Sequence, residues 1–211
     1  MSPKLLLLAA PLLATPAFAA NVSLAVTGGT LGIGPEVGLR LSDRFGLRGN
    51  ATFLGVGHHF DSSDLDYDGR LKLRSGGAMV DLFPFGGGFR LSAGARYNKN
   101  RARVVATPTG NASVGGQTFT PAQIGTLSGT GDVKRFAPAA TLGWGSKPGK
   151  GFLFGFEAGA LFQGRVRVSN FTSSTGLIPQ ARIEAERQDV QHDVDKVKVY
   201  PIVQIALGWR F

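Results

Sequence analysis

The sequence predicts an all-β protein, an eight-stranded antiparallel transmembrane β-barrel with a short helix in its last extracellular loop. Three observations favour this fold. Apolar and polar residues alternate over segments of roughly 10 to 16 residues, longer than the 5 or 6 residues of an ordinary soluble strand. Short turns alternate with long loops, as in membrane-spanning barrels. The chain also ends on an aromatic residue, Phe211, which lies on the apolar face of the last alternating segment.

The composition excludes several other classes of protein. The chain has 211 residues, with 43% hydrophobic and 18% charged residues, which is too apolar and too weakly charged for a disordered chain. It has 31 glycines and no cysteine, so it contains no disulfide scaffold, no thiolate metal site and no cysteine nucleophile. The residue types of a coiled coil do not dominate it.

The first residues predict a secretory signal peptide over residues 1–19. A positive charge at Lys4 precedes the apolar residues 5–13, and Ala17 and Ala19 form an A-x-A cleavage site. The mature chain is then a single outer-membrane barrel domain over residues 20–211. No later segment has 18 consecutive apolar residues, which argues against a helical protein of the inner membrane.

The alternation predicts the strands one by one, counting back from the C-terminus. Apolar Val203, Ile205 and Leu207 alternate with polar Gln204 and Arg210 in the last strand. The same pattern predicts seven strands, at about residues 196–211, 152–168, 131–144, 88–103, 69–83, 45–57 and 31–41. An even number requires an eighth strand near residues 21–27, joined to the next by a tight turn at Gly28-Gly29-Thr30. In the strand after that turn, Leu31, Ile33, Val37, Leu39 and Leu41 are expected on the outer face.

Several stretches resemble a known class of proteins. Residues 29–32, 68–74, 88–94, 124–129 and 199–201, with the terminal Trp209-Arg210-Phe211, are similar to small eight-stranded outer-membrane β-barrels of Gram-negative bacteria. This is the OmpA-barrel-like class, and within it an uncharacterised proteobacterial group. The resemblance implies the fold and an outer-membrane location, and brings no known activity. It also implies that Leu207, Trp209 and Phe211 form the signal read by the barrel-assembly machinery.

The polar face of the strands predicts a network of ion pairs inside the barrel. An eight-stranded barrel is just wide enough for its own side chains, and three acidic residues are expected each to bridge two or more arginines. The network comprises Glu36, Arg40, Arg48, Arg70, Lys72, Arg74, Asp81, Arg90, Arg96, Arg135, Glu157, Arg165 and Arg210. Including both residues 70–74 and Asp81 requires a β-bulge near residues 75–77. Two interpretations stay open: a structural plug, or a narrow anion-favouring passage.

The excess of positive charge, +9 at pH 7, indicates which binding partners to expect. Nucleic acid is not expected, because the basic residues alternate along strands instead of forming a patch with stacking aromatic residues. Basic residues near the loop ends instead predict contact with the phosphates of outer-membrane lipid and lipopolysaccharide. They are Arg101, Arg103, Lys134, Arg165, Arg167, Lys196 and Lys198. The protein is expected to be a monomer.

The loops contain two weaker candidate sites. Residues 64–69 match the first half of a calcium-binding loop, but the twelfth position is Ser75 instead of glutamate. A weak cation site at Asp61, Asp64, Asp66 and Asp68 is the alternative to a solvated acidic loop; no metal and no cofactor are predicted. His58 and His59 stand beside Ser62 and Ser63, a composition compatible with a lipid A- or phospholipid-modifying enzyme, but sequence adjacency does not establish catalytic geometry.

The last loop predicts a helix over about residues 180–193. Ile183, Val190, Val194 and Val197 recur at helical spacing, and this helix would either cap the barrel mouth or dock a partner. Together these features predict a non-enzymatic outer-membrane protein with a structural or surface-interaction role. The alternatives are a narrow diffusion channel and, third, a lipid-modifying enzyme.

Overall fold

The computed structural model describes residues 22–62 and 65–211, so the expected signal peptide lies outside the described residues. Within these ranges, no helix is long and apolar enough to cross a membrane. The strands are β1 Val22–Gly29, β2 Gly32–Arg40, β3 Phe45–Ser62, β4 Leu65–Leu82, β5 Phe89–Asn98, β6 Arg101–Pro108, β7 Ala112–Val114, β8 Gln117–Phe119, β9 Leu127–Asp132, β10 Phe136–Gly145, β11 Gly151–Leu161, β12 Arg167–Ser173 and β13 Tyr200–Arg210. The helices are α1 Pro121–Ile124 and α2 Gln180–Val194.

Eight strands form a closed antiparallel ring. Its order is β1, β2, β3, β4, β5, β10, β11 and β13, and β13 pairs with β1 from Ser23 opposite Arg210 to Gly29 opposite Gln204. Closure leaves no free edge in this part of the sheet. The ring confirms the expected count of eight strands and the all-β, antiparallel class.

The first hairpin exists, with its turn slightly later than expected. The turn falls at Thr30 and Leu31, after which Gly32 has a φ of +100°. A Cβ at Gly32 would approach the carbonyl oxygen of Phe53 to 2.7 Å. Both its conformation and this close approach require glycine.

Beyond one end of the ring, the sheet continues on one side only. The first half of β4 pairs with β6, β6 with β9, and β9 with β12. The pairs Ser75–Asn98 and Lys72–Arg101 lie in one continuous register. Strands β5 and β6 are therefore one long strand interrupted at residues 99–100, and β9 and β10 are likewise interrupted at residues 133–135. The two interruptions add β6 and β9 to the eight ring strands, and β12 with the separate β7–β8 hairpin brings the described chain to thirteen strand segments.

Strand β4 runs without the bulge expected near residues 75–77. Its pairing with β3 is continuous from Phe45 opposite Leu82 to Ser62 opposite Leu65. In an unbroken strand, alternate residues share a face, so Leu73 and Asp81 are buried inside while Arg74 lies exposed on the outside. The expected bulge was wrong, and with it the placement of the basic residues of this strand.

The outer face of the ring is apolar, with aromatic residues towards both ends. Near the chain termini, the rings of Phe89 and Trp144 lie 5.9 Å apart. At the opposite end of the same strands, Tyr97 and Phe136 make an edge-to-face contact at 5.1 Å. Between these bands the exposed side chains are aliphatic, as on Leu142, which is 54% exposed.

Helix α2 occupies the expected segment and packs within the loops. Ile183 is 5% exposed and belongs to a small apolar cluster with Val114, Phe119, Ile124 and Ile178. Polar side chains of the helix complete this packing. Gln191 donates to the carbonyl of Val166 at 2.7 Å and accepts from the amide of Val168 at 2.8 Å. The helix is therefore part of a loop subdomain built on β12 and the β7–β8 hairpin.

Candidate functional site

One guanidinium, that of Arg48 on β3, joins three carboxylates inside the ring. Its Nη1 lies 3.2 Å from Glu36 Oε2, and its Nη2 lies 2.6 Å from Glu157 Oε2. Asp81 receives two hydrogen bonds, from Nε at 3.2 Å and from Nη2 at 3.3 Å. Arg48 is 6% exposed. The arrangement inverts the sequence expectation for Glu36 and Asp81, because one arginine bridges the acids instead of each acid bridging several arginines.

Neighbouring polar groups satisfy the same carboxylates. Ser92 donates to Asp81 Oδ1 at 2.5 Å, and Asn50 donates to Glu36 Oε2 at 3.1 Å. Glu157 alone contacts two arginines, since Arg90 Nη2 lies 3.5 Å from the same oxygen that faces Arg48. Carboxylates held by several donors in this way form a rigid, buried polar layer.

Arg96 forms a second polar layer, which Asn50 joins to the first. Its Nη1 donates to Asn50 Oδ1 at 2.7 Å, and its Nη2 donates to Ser75 Oγ at 2.9 Å and to Thr52 Oγ1 at 3.3 Å. None of these partners is charged. The residue is 3% exposed, so its charge is held by neutral oxygens within hydrogen-bond distance.

The end of the ring near the termini holds a small cavity lined by arginines. Arg40 donates to the carbonyls of Asp43 and Gly86 at 2.7 and 2.8 Å and lies over the ring of Phe83 at 3.8 Å. Arg210 donates to the carbonyl of Lys147 at 3.0 Å. The cavity beside them has a volume of about 60 Å³. That is room for about two water molecules.

The opposite end of the ring is closed by apolar side chains. Leu31, Leu161 and Ile202 are each at most 2% exposed, and they pack with Met79, Ala137 and Ala139. Tyr200 packs against this apolar plug and donates its hydroxyl to the carbonyl of Thr30 at 2.6 Å. Leu31 was expected on the outer face. Because it belongs to the turn, the chain is free to fold it inward over the interior.

Five residues of the expected interior network lie elsewhere. Arg70, Lys72 and Arg74 are exposed on the outer face of β4, because that strand has no bulge. Arg135 is exposed in the interruption between β9 and β10. Arg165 is exposed between β11 and β12, with its Nη1 3.8 Å from Asp195.

Four of these five displaced residues, all except Arg70, belong to a basic surface beside the strand interruptions. A cavity of about 540 Å³ is lined by the basic residues Lys72, Arg74, Lys99, Arg101 and Arg135. An adjoining cavity of about 720 Å³ is lined by Lys134, Arg135, Arg165, Arg167 and Lys198. We call these nine residues the basic rim. Of the other basic residues expected at the loop ends, Lys196 pairs with Asp193 at 3.2 Å, and Arg103 is exposed on β6.

The terminal strand presents its proposed assembly signal to the outside. Leu207, Trp209 and Phe211 are about half exposed on the outer face. The amide of Phe211 donates to the carbonyl of Val22 at 3.0 Å, so the last residue still belongs to the closing β13–β1 seam.

The acidic loop has little geometry that favours a cation. Asp68 Oδ1 lies 3.0 Å from His59 Nδ1, and Asp66 lies opposite Asp61 in the β3–β4 pairing. Asp64 and the side chain of Asp61 lie outside the described part. Within residues 22–62 and 65–211, no group of three or more His, Asp or Glu residues is arranged to hold a metal ion. The weak cation site stays a sequence prediction.

The sequence missed the uncharged members of the interior. Thr52, Ser75, Ser92 and Asn98 are each at most 6% exposed, but serine, threonine and asparagine are equally common in loops. Their position on the polar face of each strand was the available signal. For Lys99, at a strand interruption, no periodic signal existed.

Comparisons with known proteins agree with this architecture. No family model matches the chain, and no curated protein matches it. Two crystal structures from Acinetobacter baumannii are similar to it. For CarO the TM-score is 0.62 at 18% identity, over 90% of this chain and 98% of that chain. For CarO2 the TM-score is 0.64 at 20% identity, with the same coverage. At such identities the similarity shows a shared fold.

Proposed function

We propose that this chain is an integral outer-membrane β-barrel protein with a closed interior, and that its role is structural or interactive instead of catalytic. The observation that carries the proposal is the inverted distribution of residues around the ring. Charged and polar side chains fill the inside, and aliphatic side chains cover the outside. A closed sheet of this kind satisfies its backbone hydrogen bonds without water, as hydrocarbon requires.

The height of the apolar belt supports the membrane assignment. Tyr97 follows Phe89 by eight positions on β5, and Phe162, the first residue after β11, follows Phe152 by ten positions. At roughly 3.3 Å per residue and a strand tilt of about 40°, the belt is about 20 to 25 Å tall. Outer-membrane barrels have an apolar band of about 25 Å flanked by aromatic girdles. The chain shares this fold with the CarO and CarO2 structures of Acinetobacter baumannii.

The interior argues for a plug over a channel. An ion entering from the loop end meets the apolar plug of Leu31, Leu161 and Ile202, and then the layers around Arg96 and Arg48. The cavity near the termini, about 60 Å³, is too small for a continuous water column. The remaining candidate sites for function are therefore the loop subdomain and the basic rim. We further propose that the protein is a monomer and that β13 carries the signal read by the assembly machinery.

Planar-bilayer conductance tests the proposal. We expect refolded mature protein to be silent across a salt gradient, although its presence in the membrane is shown by a heat-dependent shift on a denaturing gel. Glu157→Ala and Arg96→Ala would alter any current through the interior, whereas Leu142→Ala, on the outer face, serves as the matched control. Steady anion-selective steps, changed by the interior variants alone, would establish the channel alternative. Absence of the gel shift would refute the membrane barrel itself.

A further inference from the structure

The basic rim lies where the strands of the barrel wall lose their pairing. The amide of Asn98 still donates to the carbonyl of Arg135 at 2.6 Å, and the ladder resumes at Arg101 opposite Asp132. Between these two points, residues 99–100 and 133–135 belong to no strand. The cavity of about 540 Å³ lies at this gap.

The rim concentrates most of the charge of the protein. It contains nine basic residues, and its two cavities include two acidic residues, Asp132 and Asp195. The rim therefore carries seven of the nine net positive charges of the chain. Both acids are already paired, Asp132 with Arg101 at 2.7 Å and Asp195 with Arg165 at 3.8 Å. The seven other basic residues have no ion pair within the described part of the chain.

The pairing of strands brings these charges together from distant parts of the sequence. Lys72 lies opposite Arg101, Arg101 opposite Asp132, and Asp132 opposite Arg167. All four residues share one face of the extended sheet, because directly paired residues point the same way. Arg74 lies one repeat nearer the apolar belt on the same face of β4.

A buried amide lines the same cavity. Asn98 is 1% exposed, and neither its Oδ1 nor its Nδ2 has a hydrogen-bond partner among the described residues. A buried polar group without a partner is costly. Because Asn98 is paired with Ser75, its side chain points into the ring, on the face opposite to Arg74, so it borders the gap from the inside and does not contact a group held on the outer wall.

The level of the rim identifies the kind of anion. It begins directly beyond the aromatic band of Tyr97 and Phe136, and Lys99 Nζ lies 5.7 Å from the centre of the Tyr97 ring. In a membrane barrel this band lies at the level of the lipid headgroups. The apolar belt continues on one side of the rim with side chains such as Phe136, which is 71% exposed. A lipid would satisfy both surfaces at once, with phosphate on the rim and acyl chains on the belt.

We propose that the basic rim is a binding site for the phosphate groups of an outer-leaflet lipid. Arg74 and Arg135 are its central contacts, because each lies beside the strand interruptions without an acidic partner among the described residues. Arginine presents a planar donor pair that matches phosphate. The inference rests on the proposed membrane function, since only an embedded barrel holds the rim at headgroup level.

Native mass spectrometry of the refolded mature chain in detergent tests this site. The probes are bisphosphorylated lipid A, lipid A from which both phosphates have been removed, and inorganic phosphate. The test variant is Arg74→Gln with Arg135→Gln, and each single variant is measured as well. The matched control is Lys147→Gln with Lys150→Gln, which removes the same charge from an exposed turn at the other end of the barrel.

We expect the double variant to bind lipid A at least about tenfold more weakly, since two charge-assisted contacts are lost. The control should bind as the wild type does, and dephosphorylated lipid A should bind poorly to all. Equal binding by the wild type and the double variant would overturn the site, as would equal binding of the dephosphorylated lipid. Displacement of lipid A by an equimolar amount of inorganic phosphate would overturn the lipid assignment, because the basic rim would then bind a soluble anion.

A gel shift on heating is recorded for every variant. If the double variant lacks the shift, the single variants decide the outcome, each expected to bind several-fold more weakly than the wild type. A wild-type protein without the shift contradicts the proposed membrane function. A wild-type protein that shows the gel shift on heating but binds lipid A equally with and without its phosphates contradicts the lipid site alone.

Discussion

Replacing Arg48 by methionine should strongly destabilise the barrel, because it removes one cation shared by three buried carboxylates. Its contacts at 2.6 Å to Glu157 and 3.2 Å to Glu36 and Asp81 would vanish together. The local cluster, counting Arg90, would change from a net charge of −1 to −2. Removing one member of a buried ion pair costs about 3 to 5 kcal/mol. We expect a loss of that size, since each carboxylate keeps a neutral or weaker donor.

Urea unfolding in lipid vesicles measures this loss through tryptophan fluorescence. Trp144 and Trp209, the two tryptophans of the chain, are 65% and 53% exposed on the outer face, so their emission reports departure from lipid. With a urea slope of about 2 kcal/mol per molar, the midpoint should fall by about 1.5 to 2.5 M.

Two further variants separate charge from lost packing. Arg210→Met makes the same substitution at a half-buried position, at the end of the ring near the termini, where the arginine has no acidic partner in the described chain. We expect a loss below about 1 kcal/mol. Combining Arg48→Met with Glu36→Gln and Asp81→Asn leaves Glu157 paired with Arg90 and brings the cluster to a net charge of zero, so it should recover most of the stability. If Arg48→Met costs no more than Arg210→Met, or if the neutralised combination is less stable than Arg48→Met, the electrostatic argument is wrong.

Three other variants test the plug, the assembly signal and the loop subdomain. Leu161→Ala should lower the free energy of unfolding by about 2 to 5 kcal/mol in the same urea titration, because it leaves a cavity in the apolar plug; an unchanged midpoint would contradict that packing. Phe211→Ala should reduce the heat-shifted barrel recovered from cell envelopes while purified protein still refolds, and equal recovery would argue against the assembly signal. Ile183→Asp places a charge in the buried loop cluster, so trypsin should cleave α2 faster while the barrel band persists; unchanged cleavage would mean that the cluster does not hold the helix.

The sequence correctly predicted which residues face the inside of the ring in those strands whose two faces have different surroundings. On β11 and β13 the outer residues meet the apolar belt and the inner ones meet the packed interior, so exposed and buried residues alternate without a break from Phe152 to Glu157 and from Ile202 to Arg210. Glu157 and Gln204 could therefore be assigned to the interior from the pattern alone. The tight turns at the terminal end reinforced the count of strands.

The same pattern misled beyond the apolar belt. On the N-terminal side of Ser75, β4 extends beyond the ring and pairs with β6 instead of β5. Polar residues are therefore tolerated on the outer face of this part of the strand. There the alternation of Leu71 and Leu73 with Lys72 and Arg74 no longer identifies the outward-facing side of the strand. Leu73 packs inside at 3% exposure, and only the continuous β3–β4 register reveals this.

The location of the charge has a consequence for function. Five arginines inside the ring face three carboxylates, so the interior holds a modest excess of two positive charges. Each of these guanidinium groups contacts a protein oxygen, although Nε of Arg90 and Nε of Arg96 have no partner among the described residues. The rim holds nine basic residues against two acids, and both acids are paired. An anion approaching the protein therefore meets exposed, unpaired charge on the outer wall, whereas each arginine inside is buried or half-buried and already contacts a protein oxygen. The net charge that first suggested an anion passage through the barrel is better explained by binding on its outer surface.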